Sequence, residues 1–316
     1  MNIKRYFRDQ LARITADWMK HFAFDPRYYE LWQSRGFHVS KVDFYSPLPD
    51  TRELGDDLFV SEVPMCGIDI DLKAQCALLQ SFQGLYAGEY RALEDRSPNP
   101  AAPRFYFGNV SFESVDAEML YCMVRSCKPL RVIEIGSGFS TLLTAEALAV
   151  NKAEGHPAEF TAIEPYPPRF LSKPLPHLVN LKATRVQDVP LDVFRQLGAG
   201  DILFIDSSHM VKIGSDTHYE FLQILPVLAP GVLVHVHDIF LPREYPRSWV
   251  LGDYRAWNEQ YVLQAFLTGN RSFEVIWAGA LMHYRHPEKL QAAFHSYDPI
   301  KNLPASFWIG KRGSQY

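Results

Sequence analysis

The chain has 316 residues, of which 47% are hydrophobic, 14% aromatic and 22% charged. This balance is typical of a globular protein with a sizeable core and excludes a disordered chain. The formal net charge is −4 at pH 7, so the composition gives no reason to expect long nucleic acid as a partner.

Amphipathic spacing marks the start of the chain, where apolar residues recur near helical intervals through residues 1–22 with basic residues between them. The pattern predicts a helix with one apolar stripe. That stripe could dock on its own domain, dock on a second subunit in a homo-oligomer, or lie on a membrane surface. The sequence leaves these three partners open.

The cysteines do not have the spacing of a structural zinc site, and we interpret them as reduced thiols. No apolar run approaches the ~20 residues that cross a bilayer, so no transmembrane segment is expected. The first residues also lack the uninterrupted apolar segment and the cleavage site of a signal peptide. Together these features predict a cytoplasmic protein.

The chain changes pattern near residue 103. Residues 1–103 contain two proline-rich segments, YSPLPDTREL and EDRSPNPAAPRF, and are predicted to form a helical and irregular accessory cap. Residues 104–316 show short β-rich runs that alternate with helical segments, as in parallel sheets joined by crossover helices. The predicted fold class is α/β, with a doubly wound, Rossmann-like, seven-stranded and mostly parallel sheet. The predicted strands are residues 131–136, 159–165, 182–187, 201–206, 231–238, 273–278 and 306–312. The predicted helices between the first five strands are residues 141–154, 167–173, 190–197 and 216–227.

A glycine loop follows the first predicted strand, in the segment VIEIGSGFST. Gly136 and Gly138 permit a tight turn and a close approach of the backbone to a ligand. Ser140 or Thr141 can cap the following helix, whose free N–H groups face the ligand. Because open sheets bind ligands at the carboxyl ends of their strands, the loop predicts a nucleoside cofactor site.

Position 141 and the carboxylate of Glu134 distinguish two classes of nucleotide enzyme. A dinucleotide enzyme has a third glycine where this chain has Thr141, so that the helix packs closely beneath a pyrophosphate. Glu134, two residues before Gly136, would place a carboxylate beside that phosphate and suits a cationic ligand better. S-Adenosylmethionine carries a sulfonium and an ammonium group, so it is preferred to NAD.

Two further strand ends carry candidates for nucleoside recognition. Glu164 ends the second predicted strand, where a carboxylate can accept hydrogen bonds from both ribose hydroxyls. Gln187 and Asp188 end or follow the third, where the edge of an adenine ring could be recognised. Asp188 is equally well explained as a helix cap ahead of Pro190.

Acidic and histidine side chains gather after the fourth and fifth predicted strands, in DILFIDSSH and GVLVHVHDIF. Strand alternation places His235 and His237 on one face and Asp238 on the other, unless the strand has ended by then. Two carboxylates with imidazoles could hold a divalent cation such as Mg²⁺, with Asp206 and Asp238 as ligands. His209 or His237 could take a proton as general base.

In these residues the sequence resembles the class I S-adenosylmethionine-dependent methyltransferases, in particular bacterial enzymes similar to metal-dependent O-methyltransferases of sugars and small molecules. The resemblance covers about residues 105–285 and is carried by RVIEIGSGFST, FTAIEP, LFIDSSH, PGVLVHVHDIF and WNEQYVLQAFL. It implies a metal ligand at Asp206, and it implies that Glu134, Gly136 and Gly138 contact the methionine part of the cofactor, Glu164 the ribose and Asp188 the adenine. With the residue analysis, the metal candidates are Asp206 and Asp238 and the catalytic candidates are His209, His237 and Asp238. The full set of candidates at the cofactor is Glu134, Gly136, Ser137, Gly138, Ser140, Thr141, Glu164, Asp188 and Asp206.

The chain departs from the metal-dependent pattern at two positions, since Ser208 and His237 stand where such enzymes carry acidic residues. This shifts the expected base role toward His209 or His237. The sequence therefore predicts an enzyme that methylates a hydroxyl of a small-molecule, sugar or glycan acceptor, with S-adenosylmethionine as cofactor and a divalent metal as a further candidate. The alternatives are an NAD-dependent oxidoreductase and a non-catalytic nucleoside-binding protein.

Overall fold

A computed structural model describes residues 3–99, 103–172 and 179–313. The chain divides between Gly55 and Asp56 into two compact units. The predicted cap, residues 1–103, therefore spans the first unit and part of the second, and its accessory role stays a prediction. The last residue of the helix predicted at 167–173 lies outside the described residues.

The first unit contains the predicted amphipathic helix, α1 (Ile3–Met19), and a short helix α2 (Tyr29–Ser34). A cluster of aromatic rings holds the end of α1 to α2. The ring centroids of Trp18 and Phe22 lie 4.6 Å apart, and the indole N–H of Trp32 donates to the carbonyl oxygen of Ala23 at 2.9 Å. This unit thus has a small aromatic core of its own.

The second unit is built on one seven-stranded sheet. Its strands are β1 (Arg131–Ile135), β2 (Glu159–Ile163), β3 (Val179–Lys182), β4 (Ile202–Ile205), β5 (Leu233–Val236), β6 (Phe273–Ala278) and β7 (Phe307–Lys311). They lie in the order β3-β2-β1-β4-β5-β7-β6. The first five strands run parallel, and β7 pairs antiparallel with both β5 and β6. This confirms the predicted doubly wound, mostly parallel sheet.

Helices cover both faces of this sheet, because alternate strand residues point to opposite sides. The helices of this unit are α3 (Asp56–Val60), α4 (Leu72–Arg91), α5 (Asp116–Cys127), α6 (Phe139–Ala153), α7 (Leu191–Phe194), α8 (Asp216–Tyr219), α9 (Leu225–Val227), α10 (Glu259–Leu267), α11 (Gly279–Arg285) and α12 (Pro287–Ala293). Phe204 belongs to a core cluster that includes residues of α4, α5, α6 and α12. Its neighbour Ile205 belongs to a second cluster that includes residues of α9, α10 and α11. None of the helices in the described part of the chain has the length and apolar character needed to cross a membrane.

The third strand was predicted at residues 182–187, and this position is wrong. β3 ends at Lys182, whose carbonyl oxygen accepts hydrogen bonds from the N–H groups of Glu164 and Thr184, so the chain turns there. Residues 186–188 form a 3₁₀ turn, and Val186 is buried from that turn. The apolar Val186 fits a strand pattern in the sequence, although this residue is buried from a turn.

Candidate active site

The glycine loop between β1 and α6 packs directly against the end of β4. Gly136 has φ +82°, and a Cβ atom added to it would lie 1.8 Å from the carbonyl oxygen of Asp206. Only glycine fits this position. At Gly138 an added Cβ atom would meet no atom within 4 Å, so the loop is open on that side. The backbone at Gly136 is therefore closely approached, and the neighbour that the structure shows is the backbone of Asp206 at the end of β4.

Glu134 lies behind this loop and is almost completely buried. Its Oε1 accepts a 2.6 Å hydrogen bond from the hydroxyl of Ser140, and its Oε2 has no hydrogen-bond partner among the described residues. Burial raises the pKa of Glu134 to about 8, although the hydroxyls of Ser140 and Thr141 oppose the rise. Ser137 likewise has a buried hydroxyl without a hydrogen-bond partner there.

Thr141 caps the helix in the way that the sequence predicted. Its hydroxyl oxygen accepts the N–H of Gly138 at 2.9 Å. In a dinucleotide enzyme, N–H groups at this helix start are free to bind a pyrophosphate. Here the N–H of Gly138 is already hydrogen-bonded to Thr141. The loop therefore has fewer free donors for an anion, and it holds a buried carboxyl group behind them.

A cavity of about 450 Å³ opens at the carboxyl ends of β1, β2 and β4. Gly136, Glu164 and Asp206 line it, together with Gln187. Asp188 is directed elsewhere, since its carboxylate pairs with Arg185 at 2.9 Å and is about half exposed. Three of the nine residues predicted at the cofactor thus line this cavity. The other six are outside its lining, namely Glu134, Ser137, Gly138, Ser140, Thr141 and Asp188.

Three predicted residues form a compact cluster beside that cavity. The Nε2 atom of His209 lies 3.3 Å from Oδ1 of Asp206 and 3.4 Å from Oδ2 of Asp238. One ligand atom from each of the three lies within 4.8 Å of the others. β5 ends at Val236, and Asp238 then adopts φ +57°, which turns its carboxylate into the cluster. The alternation predicted for an unbroken strand therefore does not apply to Asp238.

Glu259 orients the ring of His209 from the far side. Nδ1 of His209 lies 2.7 Å from Oε2 of Glu259, the buried first residue of α10. An ionised carboxylate only accepts, so Nδ1 carries the hydrogen and donates it. Trp257 packs on the same imidazole with its ring centroid 4.3 Å away. The sequence did not assign a role to Glu259, although it lies in the conspicuous segment WNEQYVLQAFL.

The carboxylates around His209 determine its charge. Burial alone would lower the pKa of His209, but the hydrogen bonds to Asp206 and Glu259 and the charge of Asp238 outweigh burial and raise that pKa well above its usual range. With hydrogen on both nitrogens, the ring is a cation held by three acidic groups. The carboxylates of Asp206 and Asp238 therefore favour positive charge between them.

His237 lies on the opposite side of Asp206. Its Nδ1 is 3.7 Å from Oδ1 of Asp206 and 3.5 Å from Oδ1 of Asp238, and its Nε2 is 3.4 Å from Oδ2 of Asp116. Burial opposes the charged ring, but Asp238 and Asp206 raise the pKa of His237 well above its usual range. Neither ring nitrogen has a partner in hydrogen-bond geometry among the described residues.

Asp116, at the start of α5, was not predicted as a site residue. Its two carboxylate oxygens accept the N–H groups of Ala305 and Ser306 at 2.9 and 3.0 Å, which fixes the carboxylate beside His237. The sequence offers no local signal for this contact, because α5 precedes the sheet. His235, in contrast, is a core residue whose ring lies 4.1 Å from that of Phe204, and burial lowers its pKa.

A second cavity, of about 340 Å³, opens on the His237 side of the cluster. Asp116, His237 and Asp238 form its inner wall, and Trp249 forms part of the outer wall. The other polar residues that line it are Ser111, Glu113, Ser114, Ser248, Lys301 and Asn302. Because Asp206 lines the first cavity and lies 3.7 Å from His237 in the second, the two cavities lie on either side of the acidic cluster.

A protein-family profile described as "Methyltransferase domain" matches residues 133–239. These residues contain the glycine loop, the predicted nucleoside-binding residues Glu164 and Asp188, and the cluster of Asp206, His209 and Asp238. Combined with the strand order of the sheet, the match confirms the resemblance: residues 133–239 form a methyltransferase domain of class I, and the protein is an S-adenosylmethionine-dependent methyltransferase.

Among individual proteins, the chain is 32% identical over 165 residues to an uncharacterized protein of Archaeoglobus fulgidus. The aligned region covers 49% of this chain and 71% of that protein. It is also similar to the O-methyltransferase TomG of Streptomyces achromogenes in complex with SAM, at 16% identity and a TM-score of 0.38, over 78% and 92% of the two chains. The SAH-bound Podospora anserina methyltransferase PaMTH1 is 13% identical with a TM-score of 0.40, over 80% and 90% of the two chains.

Proposed function

We propose that this methyltransferase transfers the methyl group of S-adenosylmethionine to a hydroxyl of a small, polyhydroxylated acceptor such as a sugar. The observation that carries the proposal is the position of two cavities on either side of one cluster of carboxylates and imidazoles. One cavity is lined by Gly136, Glu164 and Asp206, which the sequence predicts for a nucleoside site, and the other has polar and aromatic walls. A methyl donor and an acceptor bound in the two would meet at Asp206 and His237.

The first cavity suits the donor. Glu164 lies where a carboxylate can accept both ribose hydroxyls, and the open side of Gly138 leaves room for the methionine part. The unpartnered Oε2 of Glu134 and the nearby carboxylate of Asp206 favour the cationic ammonium and sulfonium groups. Asp188 pairs with Arg185. It could bind the adenine end only if that ion pair separated.

The cluster of Asp206, His209 and Asp238 fits a divalent cation. Nε2 of His209 faces two carboxylates while Glu259 holds Nδ1, which is the arrangement in which a carboxylate orients a metal-bound imidazole. Two carboxylates and one imidazole suit Mg²⁺ or Mn²⁺. When bound, such an ion would supply positive charge that favours the deprotonated form of an acceptor hydroxyl.

The second cavity suits a neutral polyol better than a phosphorylated sugar. Its lining carries Asp116, Glu113 and Asp238, and its one lysine, Lys301, pairs with Asp298 at 3.1 Å. Three arginines of the neighbourhood already have partners. Arg243 lies 3.9 Å over the ring of Tyr284 and Arg247 pairs with Asp56. Arg255 lies 4.3 Å over the ring of Trp249 and pairs with Asp253. The face of Trp249 offers an apolar surface on which a sugar ring can pack.

The proposed step needs a proton acceptor, good alignment and positive charge beside Asp206 and Asp238, which a bound divalent cation would supply. That charge, with the sulfonium of the donor, opposes the carboxylates that raise the pKa of His237 and favours the neutral ring. The hydroxyl proton passes to a ring nitrogen of His237, and an oxygen electron pair attacks the methyl carbon. The carbon–sulfur bond breaks with its electrons staying on sulfur, so the products are the methyl ether, a protonated His237 and S-adenosylhomocysteine. His209 and Asp238 keep the acidic cluster in place during this transfer.

The cofactor assignment is tested by thermal unfolding with S-adenosylmethionine, S-adenosylhomocysteine and NAD⁺, because a ligand that binds the native state raises the melting temperature. The wild type is compared with Glu164→Gln and with Glu159→Gln, whose exposed carboxylate begins the same strand β2. We expect a rise with both sulfur nucleosides that Glu164→Gln loses and Glu159→Gln keeps. A rise with NAD⁺ alone would contradict the proposal.

The acceptor assignment is tested separately by methyl transfer from labelled S-adenosylmethionine to free sugars, sugar phosphates and catechols. Each assay is run after chelation and again with Mg²⁺ or Mn²⁺ restored. We expect label in an ether of a neutral sugar, and activity that the chelator removes. Transfer to sugar phosphates alone, or to nitrogen, would contradict the acceptor class without affecting the cofactor assignment.

A further inference from the structure

The helix α1 presents an uncovered apolar face. No residue of α1 is buried, and its large apolar side chains are about two-thirds exposed. The exposed fractions are 70% for Ile3, 66% for Phe7, 65% for Leu11, 67% for Ile14 and 66% for Trp18. Aromatic side chains bury about 150–250 Å² each, so Phe7 and Trp18 alone present about 200–330 Å² of mostly apolar surface. Such a patch on a folded protein marks an interaction surface.

These side chains form one stripe. At 3.6 residues per turn, Ile3, Phe7, Leu11, Ile14 and Trp18 fall within an arc of about 80° on the helix surface. Their exposure is therefore not scattered. The stripe runs along the whole helix, while the opposite side carries the short residues Ala12 and Ala16.

Charge identifies the kind of surface that would cover the stripe. Residues 3–20 contain five basic residues and two acidic ones, a net charge of +3 in a chain whose total is −4, so the rest of the chain carries −7. On the helix surface Arg8 flanks the apolar arc on one side and Arg13 on the other. A negatively charged surface with an apolar interior complements this arrangement.

We propose that α1 is an interfacial anchor that lies on anionic lipid, with its apolar stripe inserted among the acyl chains and its flanking arginines at the headgroups. Two copies of α1 packed stripe to stripe would bring two groups of +3 together, which disfavours a second copy as the occupant. Trp18 and Tyr6 are residue types that favour the boundary between lipid and water. The inference is independent of the methyl acceptor and of the metal.

The test is co-sedimentation of the full chain with vesicles of phosphatidylcholine alone and of phosphatidylcholine mixed with phosphatidylglycerol. The apolar variant combines Phe7→Gln with Leu11→Gln. Its matched control combines Ala12→Gln with Ala16→Gln, which adds the same side chains on the opposite side of α1. A charge variant combines Arg8→Gln with Arg13→Gln.

We expect the wild type and the matched control to sediment with the anionic vesicles and the apolar variant to remain in solution. The charge variant should bind about 25-fold more weakly, at about fivefold per basic residue removed. All four proteins should have similar melting temperatures and the mass of the wild type. Equal binding to neutral vesicles would overturn the role of the arginines.

Three other outcomes would overturn the anchor itself. The first is absence of the wild type from both vesicle pellets. The second is a change from dimer to monomer in the apolar variant, which would identify a second copy as the occupant. The third is a lower melting temperature in the apolar variant but not in the matched control, which would identify packing within the chain.

Discussion

Oε2 of Glu259 and Nδ1 of His209 lie 2.7 Å apart, although fifty positions separate the two residues in the chain. This contact joins the start of α10 to the loop after β4. Asn258 reinforces it, since its backbone N–H donates to the carbonyl oxygen of His209 at 3.1 Å and its Oδ1 accepts the N–H of Val211 at 2.6 Å. The orientation of the His209 ring is therefore set by α10 rather than by its own loop.

Replacement of this carboxylate by Glu259→Gln should weaken the binding of Mn²⁺ by about 10- to 100-fold, because an amide cannot raise the basicity of the imidazole as a carboxylate does. Isothermal titration with Mn²⁺ measures the change. Glu274→Gln, at a half-exposed carboxylate on β6, is the control and should bind like the wild type. Unchanged affinity in Glu259→Gln would show that the cluster does not use His209 as a ligand.

Substitution of the loop glycines should have unequal effects. Gly136→Ala should cost about 2–4 kcal/mol of unfolding free energy, because its Cβ atom would collide with the carbonyl oxygen of Asp206 at a positive φ. Gly138→Ala has open space and should stay within about 1 kcal/mol of the wild type. Denaturant unfolding measures both, and equal effects would contradict the close packing at Gly136.

The aromatic wall of the second cavity should contribute to binding of the acceptor and not to binding of the nucleoside. Trp249→Ala should raise the KM of the acceptor roughly 5- to 30-fold, corresponding to about 1–2 kcal/mol of lost stacking and packing. Steady-state kinetics and S-adenosylhomocysteine titration are the measurements, and the affinity for the nucleoside should not change. Tyr254→Ala, in the same connection but 72% exposed, is the control. A loss of nucleoside binding in Trp249→Ala would place Trp249 on the donor side instead.

Glu118 should make stability depend on pH. This carboxyl group is fully buried on α5 and accepts the N–H of Val115 at 2.8 Å, and burial raises its pKa from 4.5 to about 7. The folded protein holds the proton more tightly than the unfolded chain does. The stability that Glu118 contributes is therefore complete below about pH 4.5 and is lost as the pH rises through about 7.

Glu118→Gln keeps a neutral group of the same shape, so this loss should disappear. Between pH 4.5 and 7 the unfolding free energy of the wild type should fall relative to that of Glu118→Gln, by up to about 3 kcal/mol. Denaturant unfolding at several pH values gives the difference. Parallel pH profiles for the two proteins would contradict the raised pKa.

Local sequence was sufficient wherever neighbouring residues make the structure. The glycine loop, the hydrogen bond of Thr141 at the start of α6, the sheet of parallel strands and the acidic ends of β2 and β4 all follow from patterns within about ten residues. Gly136 is local only in its positive φ, because the carbonyl oxygen that excludes a side chain there belongs to Asp206. The predicted position of the third strand was wrong because Val186 is buried by tertiary packing. A local pattern cannot distinguish such a residue from one in a strand.

The sequence by itself determined the class of fold, the glycine loop and which residue types lie at the strand ends, since periodicity and turn chemistry are local properties. Only the tertiary structure decided that Glu259 holds His209 and that Asp116 lies beside His237. Both contacts join residues far apart in the chain, across helices that the sheet order brings together. It also decided their protonation, because the pKa of a buried imidazole depends on every carboxylate that folding places around it.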